Sequence, residues 1–226
     1  SQVKTGIYVI TLMKEKYNNS YIQNFTFSQH VVQYKGDSVI NKTIWHEAYS
    51  SVNQLILKFD TYDSGNGYIF KNDMIYVMKN NKVESEQRDI HDLLVLGFDV
   101  YNQPVQVTVD KLTEKAYDMS KAYETELNGK AVYCVGAESD DDNTGNRFYI
   151  DKEHLLFVKM INHSHSRYDE AIFDEFKTVK GKYLATKVIF IVDGKPIMTE
   201  EYFDMDFPET LDTTIFDPEN FEHARW

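Results

Sequence analysis

Asp140, Asp142 and Thr144 stand at positions one, three and five of a loop whose sixth residue is Gly145 and whose twelfth is Asp151. An EF-hand uses that spacing to wrap carboxylate and hydroxyl oxygens around calcium. The match is partial. Position twelve wants a bidentate Glu, and position eight, where an apolar residue belongs, carries Arg147. The flanks alternate as strands do, so a solvated hairpin loop is the competing reading. His163-Ser164-His165 sets two imidazoles on one face of a strand, a spacing that metal sites use, but in a polar turn with no third ligand tied to it. His46-Glu47 lacks the second histidine four residues on that a zinc protease helix carries. No nucleophile elbow, Walker loop or dinucleotide fingerprint is present. Cys134 is the single cysteine, which excludes an intrachain disulfide and multi-thiolate zinc sites; in Ala131-Val132-Tyr133-Cys134-Val135 it reads as a small core residue of a strand. These residues indicate no catalytic group, no cofactor and no metal centre, so a non-enzymatic role is expected.

What the chain concentrates is apolar surface. Read as a helix, Ile90 to Tyr101 has one apolar face through Leu94, Gly97, Phe98 and Tyr101 and a second through Leu93, Leu96 and Val100. Asp92 and Asp99 form only a narrow polar stripe. A helix apolar nearly all round is buried on most sides, either as ordinary core or as a lid seated on a sheet. Gly97 costs such a helix about 1 kcal/mol relative to Ala, which favours a displaceable element. Several strands are apolar on both faces, among them Met74 to Met78, Leu155 to Val158 and Val188 to Val192. A sheet with one wet face alternates instead. Two apolar faces imply two compartments, one for an N-terminal helix and one for the middle helices.

The elements around these segments follow from periodicity. Val3 to Tyr17 repeats apolar residues at steps of three and four and is helical by that measure. Strands are expected at Tyr21 to Tyr34, Ser38 to Ser50, Gln54 to Phe59, Gly67 to Lys79 and Lys82 to Asp89. Two helices, Ile90 to Tyr101 and Thr108 to Tyr117, flank Asn102-Gln103-Pro104. Strands return at Tyr123 to Leu127, Lys130 to Ala137, Arg147 to Ile150, His154 to Asn162, Arg167 to Lys177, Tyr183 to Val192 and Ile197 to Phe207. Asn128-Gly129 and Asp193-Gly194 are hairpin turns, and hairpins make an antiparallel sheet. The tail from Pro208 reads as irregular. The expected fold is mainly β (α+β): a single domain over residues 1–226, with about eleven strands strongly curved into a half-barrel, an N-terminal helix, and a helical lid inserted at residues 90–117.

Composition narrows the partners. The 226 residues carry a net charge of −12, which repels phosphate backbones and argues against nucleic acid. Aromatics make up 14%, with 16 Tyr and 14 Phe, enough to line an apolar cavity. No apolar run approaches the ~20 residues of a membrane span, and no export signal is visible.

The whole chain resembles the periplasmic outer-membrane lipoprotein carrier (LolA-like) superfamily, in a form typical of Bacteroidetes. The resemblance rests on the N-terminal helix and on Leu93-Leu94-Val95-Leu96-Gly97-Phe98-Asp99-Val100-Tyr101. Phe148-Tyr149-Ile150-Asp151-Lys152-Glu153-His154-Leu155, Phe190-Ile191-Val192-Asp193-Gly194-Lys195 and Leu211-Asp212-Thr213-Thr214-Ile215-Phe216-Asp217-Pro218 carry the rest. It implies an unclosed antiparallel half-barrel under a helical lid, in which acyl chains of lipoproteins or other lipids are shielded from water. The implied protein works in the periplasm, between donor and acceptor proteins at the membranes. By this analogy Leu93, Leu94, Leu96, Phe98 and Tyr101 belong to the lid. Phe25, Phe27, Phe59, Phe70, Tyr76 and Phe157 are the matching cavity residues. Related folds also serve as stress-sensing or protein-interaction modules of the cell envelope, which is the alternative role.

Overall fold

The computed structural model describes residues 4–164 and 166–226. Val3, expected to open the first helix, and His165 of the histidine pair lie outside the described residues. Helix α1 runs from Gly6 to Tyr17. Thr5 caps it by accepting a hydrogen bond from the Tyr8 amide, and Asn18, left-handed at φ 42°, ends it with its N–H donating to the Lys14 carbonyl.

Thirteen strands follow among the described residues. They are β1 (Asn24–Lys35), β2 (Ser38–Ser50), β3 (Gln54–Phe59), β4 (Gly67–Lys71), β5 (Met74–Lys79), β6 (Lys82–Arg88), β7 (Ala122–Leu127), β8 (Lys130–Val135), β9 (Arg147–Asp151), β10 (Phe157–Ser164), β11 (Arg167–Val179), β12 (Lys182–Val192) and β13 (Lys195–Asp206). All lie in one antiparallel sheet, ordered β6-β5-β4-β3-β2-β1-β13-β12-β11-β10-β9-β8-β7. The count exceeds the expected eleven, in part because Gly67 to Lys79 is a hairpin rather than one strand. Asn72 and Asp73, at φ 54° and 59°, turn the chain between β4 and β5.

The strand count favoured a strongly curved half-barrel. The sheet is instead open: β6 and β7 are its free edges and do not pair, and it is neither closed nor strongly curled. It has no need to curl onto itself, because separate layers cover its apolar faces. On one face lie α1, α2 (Asp92–Gly97), a 3-10 turn at Asp99–Tyr101 and α3 (Val105–Glu114). The expected division of labour, with the N-terminal and middle helices on opposite faces, is therefore wrong. The other face of β2–β5 is covered by the tail, where Ile215, Phe216, Phe221 and Ala224 pack on Ala48, Ile56, Ile69 and Met78. Cys134 sits in a small outer-face cluster with Val132, Tyr149 and Ile161.

The chain leaves the sheet at edge β6 and re-enters at the opposite edge β7, so the segment between them crosses the helix-bearing face. That segment is less regular than periodicity suggests. The helix ends at Gly97, where a Cβ would lie 3.1 Å from the Phe173 ring on β11. Phe98 then breaks the helical path at φ −139°, ψ −56°. The next helix starts directly after Pro104, which takes the cap position, and is over by Glu114. Ala116 at φ 64° excludes its continuation to Tyr117.

Candidate functional site

Strands β1, β2 and β13 meet at the middle of the sheet, beneath α2. Register sets which side chains share the inner face: Phe27 lies opposite Glu47, Phe25 opposite Tyr49 and Val31 opposite Glu200. Phe25, Phe27, Tyr49, Glu47, Glu200 and Tyr202 form the floor of a cavity of about 80 Å³. Its roof is Leu93, Leu94 and Phe98, with His91 at the start of α2. A smaller hollow adjoins it, sharing Phe98, Phe173 and Tyr202 and adding Phe157.

Of the eleven residues expected to line or cover a cavity, Phe25, Phe27, Leu93, Leu94 and Phe98 come together here, and Phe157 borders the adjoining hollow. Leu96 and Tyr101 are wholly buried in the core. Tyr101 packs between Tyr17 and Tyr21 and donates to the Leu155 carbonyl at 2.8 Å. Phe59 stacks away from the cavity against Trp45 and Tyr68. Phe70 meets the His91 ring edge-on at 4.5 Å, beside an open recess shared with Leu93. Tyr76 faces the other side of the sheet, against the cluster under the tail.

Two buried aspartates anchor the roof. Asp99 accepts from the Tyr49 hydroxyl at 2.7 Å and from the Asn53 amide at 3.1 Å to each oxygen, joining the 3-10 turn to the β2–β3 connection. Burial pushes its carboxyl up to about 6, against the hydrogen bonds that favour the charged form. At the other end, Asp92 accepts from Tyr117 at 2.8 Å and Asn162 at 3.0 Å and faces the Lys115 ammonium at 3.1 Å.

Glu47, Glu200 and Gln29 are the site residues that the sequence reading missed. Their exposures are 6%, 9% and 0%. Burial raises both carboxyls, Glu200 to about 8, and the charge of Glu200 raises Glu47 further. The Gln29 amide lies beside both, yet no contact reaches hydrogen-bond geometry, leaving its Nε2 and Oε1 without a partner. The signal was parity: Trp45, Glu47 and Tyr49 share one face of β2, and Met198, Glu200 and Tyr202 one face of β13.

The sequence motifs lie elsewhere. Asp140 accepts from Tyr123 and Thr125, while Asp142 accepts from Thr144, and strands flank the loop. The His46 ring bonds to the Ser28 hydroxyl at 2.8 Å and stacks on Tyr62. Among the described residues, no three His, Cys, Asp or Glu side chains are grouped to hold a metal ion. No helix among them is long and apolar enough to cross a membrane.

No protein-family model matches the chain, and no curated protein matches its sequence. Solved structures do match. The chain is similar to a Vibrio parahaemolyticus domain named for outer membrane lipoprotein sorting, with TM-score 0.64 and 11% identity over 96% of this chain and 98% of that one. It is similar to a DUF1329 family protein from Desulfovibrio piger, with TM-score 0.60 and 12% identity over 94% and 95%. A LolA superfamily protein from Nitrosomonas europaea matches with TM-score 0.58 and 12% identity over 95% and 98%. At these identities the likeness is one of fold, and that fold is LolA-like.

Proposed function

We propose that the protein is a non-enzymatic carrier or binding protein of the periplasm, holding acyl chains of lipoproteins or other apolar ligands between the sheet and α2. One observation carries the reading: an aromatic-floored cavity lies under a short apolar helix whose hydrogen-bonded anchors, Asp92 and Asp99, stand at and just beyond its two ends. The likeness in fold to a protein named for lipoprotein sorting supports it. Buried methylenes would supply affinity at about 0.8 kcal/mol each. The cavity is well below the ~300–1,000 Å³ of small-molecule sites, so a long chain enters only when the roof lifts. Transfer between membranes would further require donor and acceptor proteins.

The test is native mass spectrometry of gently purified protein, followed by titration with a fluorescent acyl probe. Co-purified lipid that the probe displaces supports the carrier reading. Absence of both lipid and probe uptake overturns it. The complete burial of Leu96 and Tyr101 favours a second reading in that case, an envelope interaction module whose interior is filled by its own side chains.

A further inference from the structure

We infer that the cavity seats the cationic amine end of an amphiphile, held by Glu47 and Glu200 against aromatic walls; this rests on the ligand-binding reading above and names the chemistry of the ligand. The two glutamates come from strands on either side of β1 and open into one cavity. Both are more than nine-tenths buried, neither forms an ion pair with a described residue, and the Gln29 amide is the polar neighbour they share. Gln29 ends beside them, fully buried, with both amide atoms unpartnered. A buried amide without partners is rare because it forfeits its hydration. With two buried carboxyls converging on the same space, it marks a place where donors are missing.

The walls point to the same ligand. The Phe27 and Tyr202 rings lie 4.5 Å apart and the Phe25 and Phe27 rings 4.3 Å apart, and Tyr49 and Phe98 complete the surround. Aromatic faces attract a cation within about 6 Å, more strongly when water is excluded. Among the described residues the wall supplies no cation of its own. Its one basic side chain, His91, is held neutral by burial while its Nδ1 accepts the Leu94 amide. An ammonium brings the positive charge and three donors that the site lacks, and its apolar remainder lies along Leu93, Leu94 and Phe98. A fatty acid would present a third carboxylate instead.

Proton balance gives a second readout. Near neutral pH the pair holds protons, since Glu200 is pushed up to about 8 and Glu47 is also raised. When the ammonium enters, one carboxyl ionises and its proton passes to solvent. Amine affinity therefore climbs as pH rises through about 8. The other titratable groups facing the pair do not compete: Tyr49 and Tyr202 are raised, and His91 is lowered.

The experiment is calorimetric titration of the full chain with n-octylammonium, n-octanol and n-octanoate, in two buffers of different ionisation enthalpy. The expected result is octylammonium bound about tenfold tighter than octanol, with release of close to one proton per ligand and octanoate weakest. Glu47→Gln and Glu200→Gln should each abolish the preference for octylammonium over octanol and the proton release. Equal affinity for octanol and octylammonium, absence of proton release, or a preference for octanoate would each overturn the amine assignment while leaving the apolar-ligand reading intact. Uptake of none of the three overturns both. The wild-type series decides the matter even where a variant fails to fold.

Discussion

Glu47 and Glu200 hold their protons more tightly in the folded chain than in the unfolded one, because burial penalises their charged forms. For such an acid the stability contribution is complete below the unfolded value of 4.5 and is lost as pH climbs through the folded value, about 8 for Glu200. Asp99 acts in the same sense with a folded value of about 6, while Lys58, lowered to about 8, acts in the opposite sense only above that pH. Glu200→Gln cannot ionise. It should raise the melting temperature at about pH 8 by several degrees, at ~2–4 °C per kcal/mol, and change it little near pH 5. Thermal unfolding across that range checks the sign, and a gain confined to the acid end would contradict it. These residues were hard to read from sequence because a carboxylate on a strand is solvated by default. Only the inward register of Trp45, Tyr49 and Tyr202 reveals the burial. Tyr76 shows the same parity problem in reverse. Along one continuous strand, Phe70 and Tyr76 would share a face. The Asn72-Asp73 turn pairs Phe70 with Ile75 and Tyr76 with Ile69, which sends Tyr76 to the opposite face.

At the scale of elements, the roof is one short helix with two kinds of apolar side chain. Leu96 is 0% exposed and belongs to the packed layer, so Leu96→Ala should cost about 2–5 kcal/mol. Phe98 is part-buried and borders both hollows, so Phe98→Ala should cost less and enlarge the cavity. Denaturant unfolding ranks the two losses, and acyl-probe titration should show greater uptake only for Phe98→Ala. An equal loss at both positions, with uptake unchanged, would make the roof ordinary core. Asp99→Asn tests the anchor. The new amide can accept from Tyr49 or Asn53 but not reproduce all three bonds, leaving a buried donor short at about 1–3 kcal/mol. Hydrogen exchange should accelerate in residues 98–102 while β10 to β12 stay protected; uniform acceleration would argue against a local anchor. The apolar character of this segment was legible from Leu93 to Tyr101. Its break at Phe98 was not, because Gly97 read as a source of mobility. In the structure it is the point where backbone and the Phe173 ring make a close approach.

For the molecule as a whole, the strand run and the Asn-Gly and Asp-Gly turns made an antiparallel meander readable, but not that the N-terminal and middle helices would share one face. Its layout was not readable, since nothing local tells a chain that its first and last strands will be neighbours. Residues 24–88 form one run of hairpins and residues 122–206 another, and the β1–β13 ladder alone joins them in the sheet. Hairpins close short loops and form quickly, whereas the β1–β13 ladder must bring together residues such as His30 and Glu201. The cavity floor lies across that seam, with Phe27 and Glu47 from one half and Glu200 and Tyr202 from the other. On refolding, the far-ultraviolet strand signal should therefore return before the capacity to take up an acyl probe; simultaneous recovery would show the halves do not form first. A freshly made chain could thus carry two finished half-sheets and still have nowhere to put a ligand. Occupancy becomes possible only at the last join, so cargo arriving there would act as a clasp on a finished molecule and could not be trapped by an unfinished one.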